Sequence, residues 1–319
     1  MRRILPAVVV AAVPIACMAL LALVLVRAGG GPARGPDLRL GLVEWPGFYD
    51  LHVGAHDGSW TAAGRRIRPL VFPDNPSCNA AFLAGELDLW AGTLSDALLL
   101  RARGAPLQVV AAIDTSAGAD AILVRSGLGS LAGARVAFEG VHSFSHVFVL
   151  EWLRREGVAE TAVRMIDMPA SQVPAAIAAG RIDAGHAWGT EAEAEAAAGR
   201  AAIRFRAADD PGVITEVLGI RRGVLDDSAV GDLLDRLFTR RRDWSGREDA
   251  LVAAAAAALG RPAAALLPVR GSVVLADAPP FRSPEAAAGL RRRAERIQAV
   301  LAERGAALDP GHFTELLPP

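Results

Sequence analysis

A chain of 319 residues, 52% hydrophobic and with a formal net charge of −1, can bury a large core as one domain or two. It carries no single-sign charge block suited to a nucleic-acid backbone; its short Arg clusters, Arg240-Arg241-Arg242 and Arg291-Arg292-Arg293, read as solvated helix faces. It contains no Lys, so Schiff-base chemistry on a Lys amine and a phosphate loop ending in Gly-Lys-Ser/Thr are both excluded.

Residues 1–35 read as a membrane address. Arg2 and Arg3 precede an unbroken apolar run over residues 4–26, long enough to cross a bilayer as a helix, and Arg27 and a Gly/Pro linker follow it. The length favours an uncleaved anchor in the inner membrane, while Val26-Arg27-Ala28 leaves a cleaved signal peptide open. Both place the rest of the chain outside the cytoplasm, as a periplasmic or secreted protein. Cys17 lies within the apolar run, where a lipid-anchored Cys would be followed by a polar tether. Cys78 then has no partner in the exported part and is expected as a free, buried thiol.

The exported chain alternates strand and helix patterns. Strands are predicted over residues 38–43, 67–72, 87–91 and 107–113, with helices over 77–83 and 95–103; Pro46 and Gly47 stop the first strand. A small polar turn of Asp114, Thr115, Ser116 and Gly118 follows, and a new strand starts at Asp120. The same grammar then repeats: strands over 135–139, 163–168, 182–187 and 201–206, helices over 143–156 and 171–179. Strands separated by helices imply parallel βαβ crossovers, so the central turn is read as a crossing between two similar lobes. One echo between them is specific. Ala84-Gly85-Glu86-Leu87-Asp88 and Ala179-Gly180-Arg181-Ile182-Asp183 each join a helix end, a left-handed Gly and a turn-tightening Asp before a strand. Residues 213–220 read as a second crossing strand, and helical stripes at Val230/Leu233/Leu234/Leu237, residues 253–259 and Leu290/Ala294/Ile297/Leu301 pack outside the first lobe.

These motifs resemble the periplasmic solute-binding proteins of ABC importers of the nitrate, sulfonate, taurine and thiamine-pyrimidine type. The resemblance is carried by residues 41–48 with Trp45-Pro46-Gly47, by the two Ala-Gly-x-x-Asp segments, by Asp114-x-Ser116-x-Gly118-Ala119-Asp120, by Leu131-x-Gly133-x-x-Val136-Ala137, by Ser145-His146 and by Trp188. It implies the two-lobed type II periplasmic-binding-protein fold, an α/β architecture with a mostly parallel, helix-flanked sheet in each lobe and two hinge crossovers. Lobe 1 would comprise residues 36–119 and 213–319, and lobe 2 residues 120–212. It also implies a monomer that takes a small-molecule ligand and delivers it to ABC permease and ATPase subunits, with no cofactor and no enzymatic role. The chain departs from the family at Trp188-Gly189-Thr190, where relatives commonly carry Trp-Glu-Pro. A membrane-tethered sensing domain that signals to a partner kinase or permease is the alternative.

In open parallel sheets ligands bind beyond the carboxyl ends of the strands. The residues there are Trp45, Phe48, Thr93, Ser95, Ser116, Asp120, Ser143, Trp188 and Glu216, taken together as the ligand-binding set. Ser95 and Ser143 stand at helix starts and are expected as caps, with free N–H groups offering an anion site. No Arg falls at these strand ends, so a neutral heterocycle or an amine competes with a sulfonate. His52/His56, His142/His146 and His186 are weighed as metal ligands and set aside for want of Cys or paired carboxylates. No catalytic motif occurs, and Ser, His and Asp candidates lie scattered along the chain. A pyrimidine synthase of thiamine biosynthesis shares the implied fold, but its chemistry resembles one that needs a pyridoxal-linked Lys.

Overall fold

The computed structural model describes residues 36–277 and 284–303. The N-terminal apolar run lies outside them; among the described residues no helix is long and apolar enough to cross a membrane. The chain builds β1 (Leu38–Val43), α1 (Tyr49–His56), β2 (Thr61–Ala62), β3 (Arg65–Phe72), α2 (Asn75–Leu83), β4 (Leu89–Thr93), α3 (Leu94–Ala102) and β5 (Leu107–Ser116). It then forms β6 (Asp120–Arg125), β7 (Arg135–Phe138), α4 (Phe144–Arg155), β8 (Arg164–Asp167), α5 (Val173–Ala178), β9 (Ala184–Trp188), α6 (Thr190–Ala197) and β10 (Ala201–Arg206). It closes with β11 (Thr215–Arg221), α7 (Asp227–Trp244), α8 (Glu248–Leu259), β12 (Val273–Leu275) and α9 (Pro284–Ala302).

Two sheets result, ordered β12-β5-β11-β4-β1-β3-β2 and β10-β6-β9-β7-β8. In the first, β1 runs parallel to β3 and β4, and β11 is inserted antiparallel between β4 and β5. In the second, β7 runs parallel to β8 and β9, and β6 is inserted antiparallel between β9 and β10. The order β5-β11-β4-β1-β3 thus matches β10-β6-β9-β7-β8 strand for strand and direction for direction. In each lobe the reversed strand is the one entered by crossing from the other lobe. The central polar stretch is shorter than its composition suggests. Asp114, Thr115 and Ser116 continue β5 because β11 and β12 pair with them on either side. Only residues 117–119 turn, and the N–H groups of all three converge on the Ser272 carbonyl at 2.9–3.1 Å. Gly118 is required there, since a Cβ would come within 2.4 Å of the Gly271 oxygen.

The repeated Gly-x-x-Asp segments have a structural cause. Gly85 and Gly180 end α2 and α5 with φ of 82° and 65°. Asp88 then accepts hydrogen bonds from the Arg39 backbone N–H (2.9 Å), Nε (2.9 Å) and Nη2 (3.0 Å), while Nη2 also reaches the Gly85 carbonyl. Asp183 receives the same set from Arg135, at 3.0, 2.9 and 3.0 Å, and Arg135 Nη2 reaches the Gly180 carbonyl. Each lobe therefore ties its helix end to the start of the equivalent strand, β1 or β7, with one forked guanidinium, a geometry that carboxylates favour.

Apolar side chains on both faces of each sheet fill the interior, with Trp60, Trp90 and Trp152 among the largest fully buried ones. Cys78 is a free thiol within this core, and burial raises its pKa. The Arg240-Arg241-Arg242 cluster departs from a solvated face: Arg241 is buried and forks onto Asp50 (2.8 and 3.0 Å) while donating to the carbonyls of Gly47, Ile113 and Ala276. Helix α9 also reaches further than the outside of the first lobe: its apolar stripe packs with Val147 of α4, and Arg296 pairs with Glu151 and Asp210. Two helices, α1 and α6, lie where no helix was predicted.

Removing either clamp should be felt as lost stability. Asp88→Asn and Asp183→Asn are each expected to lower stability, since the charged hydrogen bonds to Arg39 and Arg135 are lost. The two costs should add, because the sites share no partner. Urea unfolding would show a lower midpoint with unchanged slope; an unchanged midpoint in both variants would remove the clamps from the account.

Candidate functional site

The inserted strands bring opposite ends of the chain direction to one edge. Asp120, the first residue of β6, pairs with Trp188, the last of β9. Glu216, near the start of β11, pairs with Thr93, the last of β4. These edges face one another across a closed cleft whose inner cavity of about 20 Å³ is lined by Val43, Glu44, Trp45, Asp74, Asn75, Asp120, Glu139, Phe144, Trp188 and Glu216. A wider space of about 490 Å³ opens outward from it, sharing Glu44 and Trp188 as walls and adding Pro46, Tyr49, Phe72, Pro73, Thr190 and Arg261.

Trp45 and Trp188 meet edge to face, ring centroids 6.4 Å apart at 78°, one from the end of each lobe's sheet. Trp45 is fixed by its indole N–H, which donates to Asp114 at 3.1 and 3.3 Å. The Trp45-Pro46-Gly47 motif has a steric reason. Pro46 starts a 3₁₀ turn over Pro46–Phe48, and any side chain at Gly47 would overlap the Asp114 carboxylate. Arg241 holds this turn from behind through the Gly47 carbonyl.

Asp120 is braced by a buried relay. Ser145 Oγ accepts the Glu139 N–H at 2.9 Å and lies 2.8 Å from His186 Nδ1, and His186 Nε2–H donates to Asp120 Oδ1 at 2.8 Å. In this tautomer the Ser145 hydroxyl donates to Nδ1, and Ser145 Oγ, both His186 nitrogens and Asp120 Oδ1 are paired. The scattered Ser, His and Asp of the sequence are thus assembled in space, contrary to expectation. The order is reversed from that of a hydrolase: Asp120 lines the cavity, and Ser145 is fully buried beneath the histidine, where a nucleophile could not meet a substrate. The relay positions an acid.

The cleft is acidic, and its acids are largely buried. Burial pushes Asp114 up to about 7, against the Trp45 hydrogen bond and the nearby Arg241, and Asp96 up to about 6, against hydrogen bonds from Thr93 and Asn79. Burial, then the charges of Asp114, Asp120 and Asp96, raises Glu216 well above the carboxylate range. Glu139 is raised chiefly by burial while it accepts the Ala170 N–H at 2.7 Å. Glu216 Oε2 and Asp120 Oδ2 are buried with no hydrogen-bond partner.

Of the nine residues expected to bind ligand, Trp45, Asp120, Trp188 and Glu216 line the inner cavity. Phe48 does not: the turn after Pro46 rotates it inward, and it is fully buried in the lobe 1 core. Thr93, rather than Ser95, caps α3, because the helix begins at Leu94; its hydroxyl accepts the Asp96 N–H at 3.1 Å. Asp96 occupies the first turn of α3, so the anion site expected there is filled by the chain's own carboxylate. Ser143 does cap α4, accepting the Ser145 and His146 N–H groups. Ser116 accepts the Asp120 N–H at 3.3 Å and braces the crossing. Glu139, Asp74, Asn75 and Phe144 went unnoticed in the sequence; all follow the ends of β7 or β3, so the strand-end rule could have found them. The paired histidines do other work: His52 Nε2–H donates to the Val43 carbonyl, and His146 Nδ1 accepts the His142 N–H. Among the described residues no cluster is arranged to hold a metal ion.

Two sheets of matching topology, joined by reversed crossing strands and closed on a cavity at the strand ends, define the periplasmic-binding-protein fold. The family model described as NMT1/THI5 like matches residues 51–219, more than half of the chain, and the chain belongs to that family. Solved structures agree on the fold. The periplasmic aliphatic sulphonate binding protein SsuA from Escherichia coli matches with a TM-score of 0.68 at 18% identity, over 90% of this chain and 93% of that one. The alkanesulfonate-binding protein SsuA from Xanthomonas axonopodis pv. citri, bound to MOPS, gives 0.67 at 19% identity, over 90% and 99%. The periplasmic nitrate-binding protein NrtA from Synechocystis PCC 6803 gives 0.65 at 11%, over 89% and 86%. Among curated protein sequences none matches the chain.

The buried acids set a pH dependence. An acid whose pKa is raised on folding keeps its proton when the unfolded chain has released it, so the folded state loses stability as pH rises from about 4 through the folded value. His52 acts in the opposite sense: burial lowers it to about 4, so it costs stability as pH falls below about 6.5. Comparing wild type with Glu216→Gln cancels the histidine. The variant should be more stable at pH 8.5, with the gap closing toward pH 5. Urea midpoints at both pH values check this; a gap independent of pH contradicts it.

Proposed function

We propose that the protein is the extracytoplasmic solute-binding component of an ABC import system, periplasmic and held at the inner membrane or released by its N-terminal segment. It captures a small solute between lobe 1 (residues 36–119 and 213–319) and lobe 2 (residues 120–212). The observation that carries this reading is the meeting of Trp45 and Trp188, one from each lobe, over a cavity walled by the crossing strands. Such a cavity opens only if the lobes part, so ligand entry and hinge motion are one event. Permease and ATPase subunits are the partners that the resemblance to binding proteins of ABC importers implies.

The solute classes weighed are sulfonate-, taurine- or nitrate-like oxyanions and pyrimidine-like heterocycles. Sulfonate and nitrate are named for the neighbouring structures and not for this chain, and five acids in the lining of the inner cavity argue against a bare oxyanion here. Trp45, Asp120, Trp188 and Glu216 are the proposed contacts; Thr93 and Ser143 hold the helix starts behind them.

A thermal-shift screen against sulfonates, taurine, nitrate, bicarbonate, pyrimidines, flavins and amines tests solute capture. A ligand at a hundred times its Kd should stabilise the protein by about 2.7 kcal/mol. Trp188→Ala should weaken the hit at least tenfold with an unchanged unliganded melt. Equal affinity in the variant would move Trp188 from the site to the packing around it.

A further inference from the structure

We infer that the captured solute is an organic cation: a primary ammonium head that docks against Glu216 and Asp120, on a flat apolar body that lies in the mouth of the cleft. This rests on the solute-capture reading and names its ligand class.

Three observations converge. The first is hydrogen bonding. Glu216 and Asp120 each line the inner cavity, are buried at 4% and 1% residue exposure, and each leave one carboxylate oxygen, Oε2 and Oδ2, without any partner. Unpaired buried oxygens are expensive, and an ammonium brings three donors and no acceptor. An oxyanion would set its acceptors against the Asp120 carboxylate. The second is charge. Glu44, Asp74, Asp120, Glu139 and Glu216 line the inner cavity, and among the described residues no basic side chain does. The nearby guanidiniums are engaged elsewhere, Arg241 by Asp50 and backbone carbonyls, Arg261 by Glu44 at 2.8 Å in the mouth. The third is size. A cavity of about 20 Å³ holds a group as large as one water, which suits an ammonium head and nothing bulkier. The adjoining space of about 490 Å³ has room for the body, whose flat apolar part would lie against Pro46, Tyr49, Phe72 and Trp188 among the polar walls Glu44, Thr190, Glu191 and Arg261. Trp188 stands in the walls of both spaces and Trp45 in the inner one, where an aromatic face attracts a cation.

The same groups fix how binding responds to pH. Glu216 is faced by Asp114 on β5, Asp120 on β6 and Asp96 on α3; Arg241 from α7 acts on Asp114, and His186 from β9 on Asp120. Burial and these carboxylates hold a proton on Glu216, which an arriving ammonium replaces. Binding should therefore release a proton and tighten as pH rises.

Three probes matched in size separate the possibilities: benzylammonium, benzyl alcohol and benzenesulfonate, titrated by calorimetry into the full chain in a mild detergent, with tryptophan emission as an independent readout of closure. Benzylammonium should bind at least tenfold tighter than either other probe, release protons in buffers of different ionisation enthalpy, and tighten between pH 5.5 and 8. Glu216→Gln should lose at least tenfold in affinity and the proton release, while its melt shows a folded protein; Asp120→Asn should weaken binding in the same direction. Tighter binding of the sulfonate or the alcohol, with a change in emission, would overturn the cation while leaving solute capture standing. Silence from all three probes in both readouts would overturn both.

Discussion

An antiparallel strand inserted among codirectional ones must bring its first residue to the edge where its neighbours end. Both sheets obey this constraint, and the site follows from it. The chain leaves β5, crosses through residues 117–119 and enters β6 at Asp120, opposite the last residue of β9; it leaves β10, returns, and enters β11 beside Glu216, opposite the last residue of β4. Asp120 and Glu216 therefore stand at the starts of the two crossing strands, as their first and second residues. Under the proposed function, a ligand held by Asp120 and Glu216 would act on the same segments about which the lobes would turn, and capture and closure would need no relay between separate sites.

The electrostatics of the cleft run against what is best for the isolated protein. Asp96, Asp114, Asp120 and Glu216 are all nearly inaccessible, and the charges of the other three raise Glu216. Burying acids together costs stability unless each finds a proton, a donor or a cation. Trp45 serves Asp114 and His186 serves Asp120, each leaving Glu216 to its proton. A structure that retains such groups at the junction of its lobes holds an unsatisfied demand for donors, and a demand of this kind at a cavity is what a ligand meets.

Much of the architecture was legible because it rests on local signals. The alternation of apolar strands with helical stripes gave the two lobes, and the repeated Ala-Gly-x-x-Asp marked equivalent helix ends, although its cause, the forks of Arg39 and Arg135, joins residues about fifty apart and left no local trace. The strand-end rule found Trp45, Asp120, Trp188 and Glu216. It failed at Phe48, because a 3₁₀ turn after Pro46 rotates the next ring into the core, and at Ser95, because α3 starts at Leu94 with Thr93 as its cap. Helix α6 was missed because Thr190–Ala197 is Glu and Ala with no apolar stripe to read. Arg241 was taken for a surface charge because its partners, Gly47, Asp50, Ile113 and Ala276, are remote in sequence. The Ser145–His186–Asp120 relay was illegible for the same reason: only the packing of α4 on β9 and of β9 on β6 brings the three together.

The central claim is that two carboxylates on the hinge strands hold the solute, and a crystal structure of the protein grown with benzylammonium addresses it most directly. The account predicts the nitrogen within about 3 Å of both the Glu216 and Asp120 carboxylates, with the ring beside Trp188 in the mouth of the cleft. A ring lodged in the mouth with its nitrogen turned away from both acids, or a cleft that closes without the molecule in it, would contradict it.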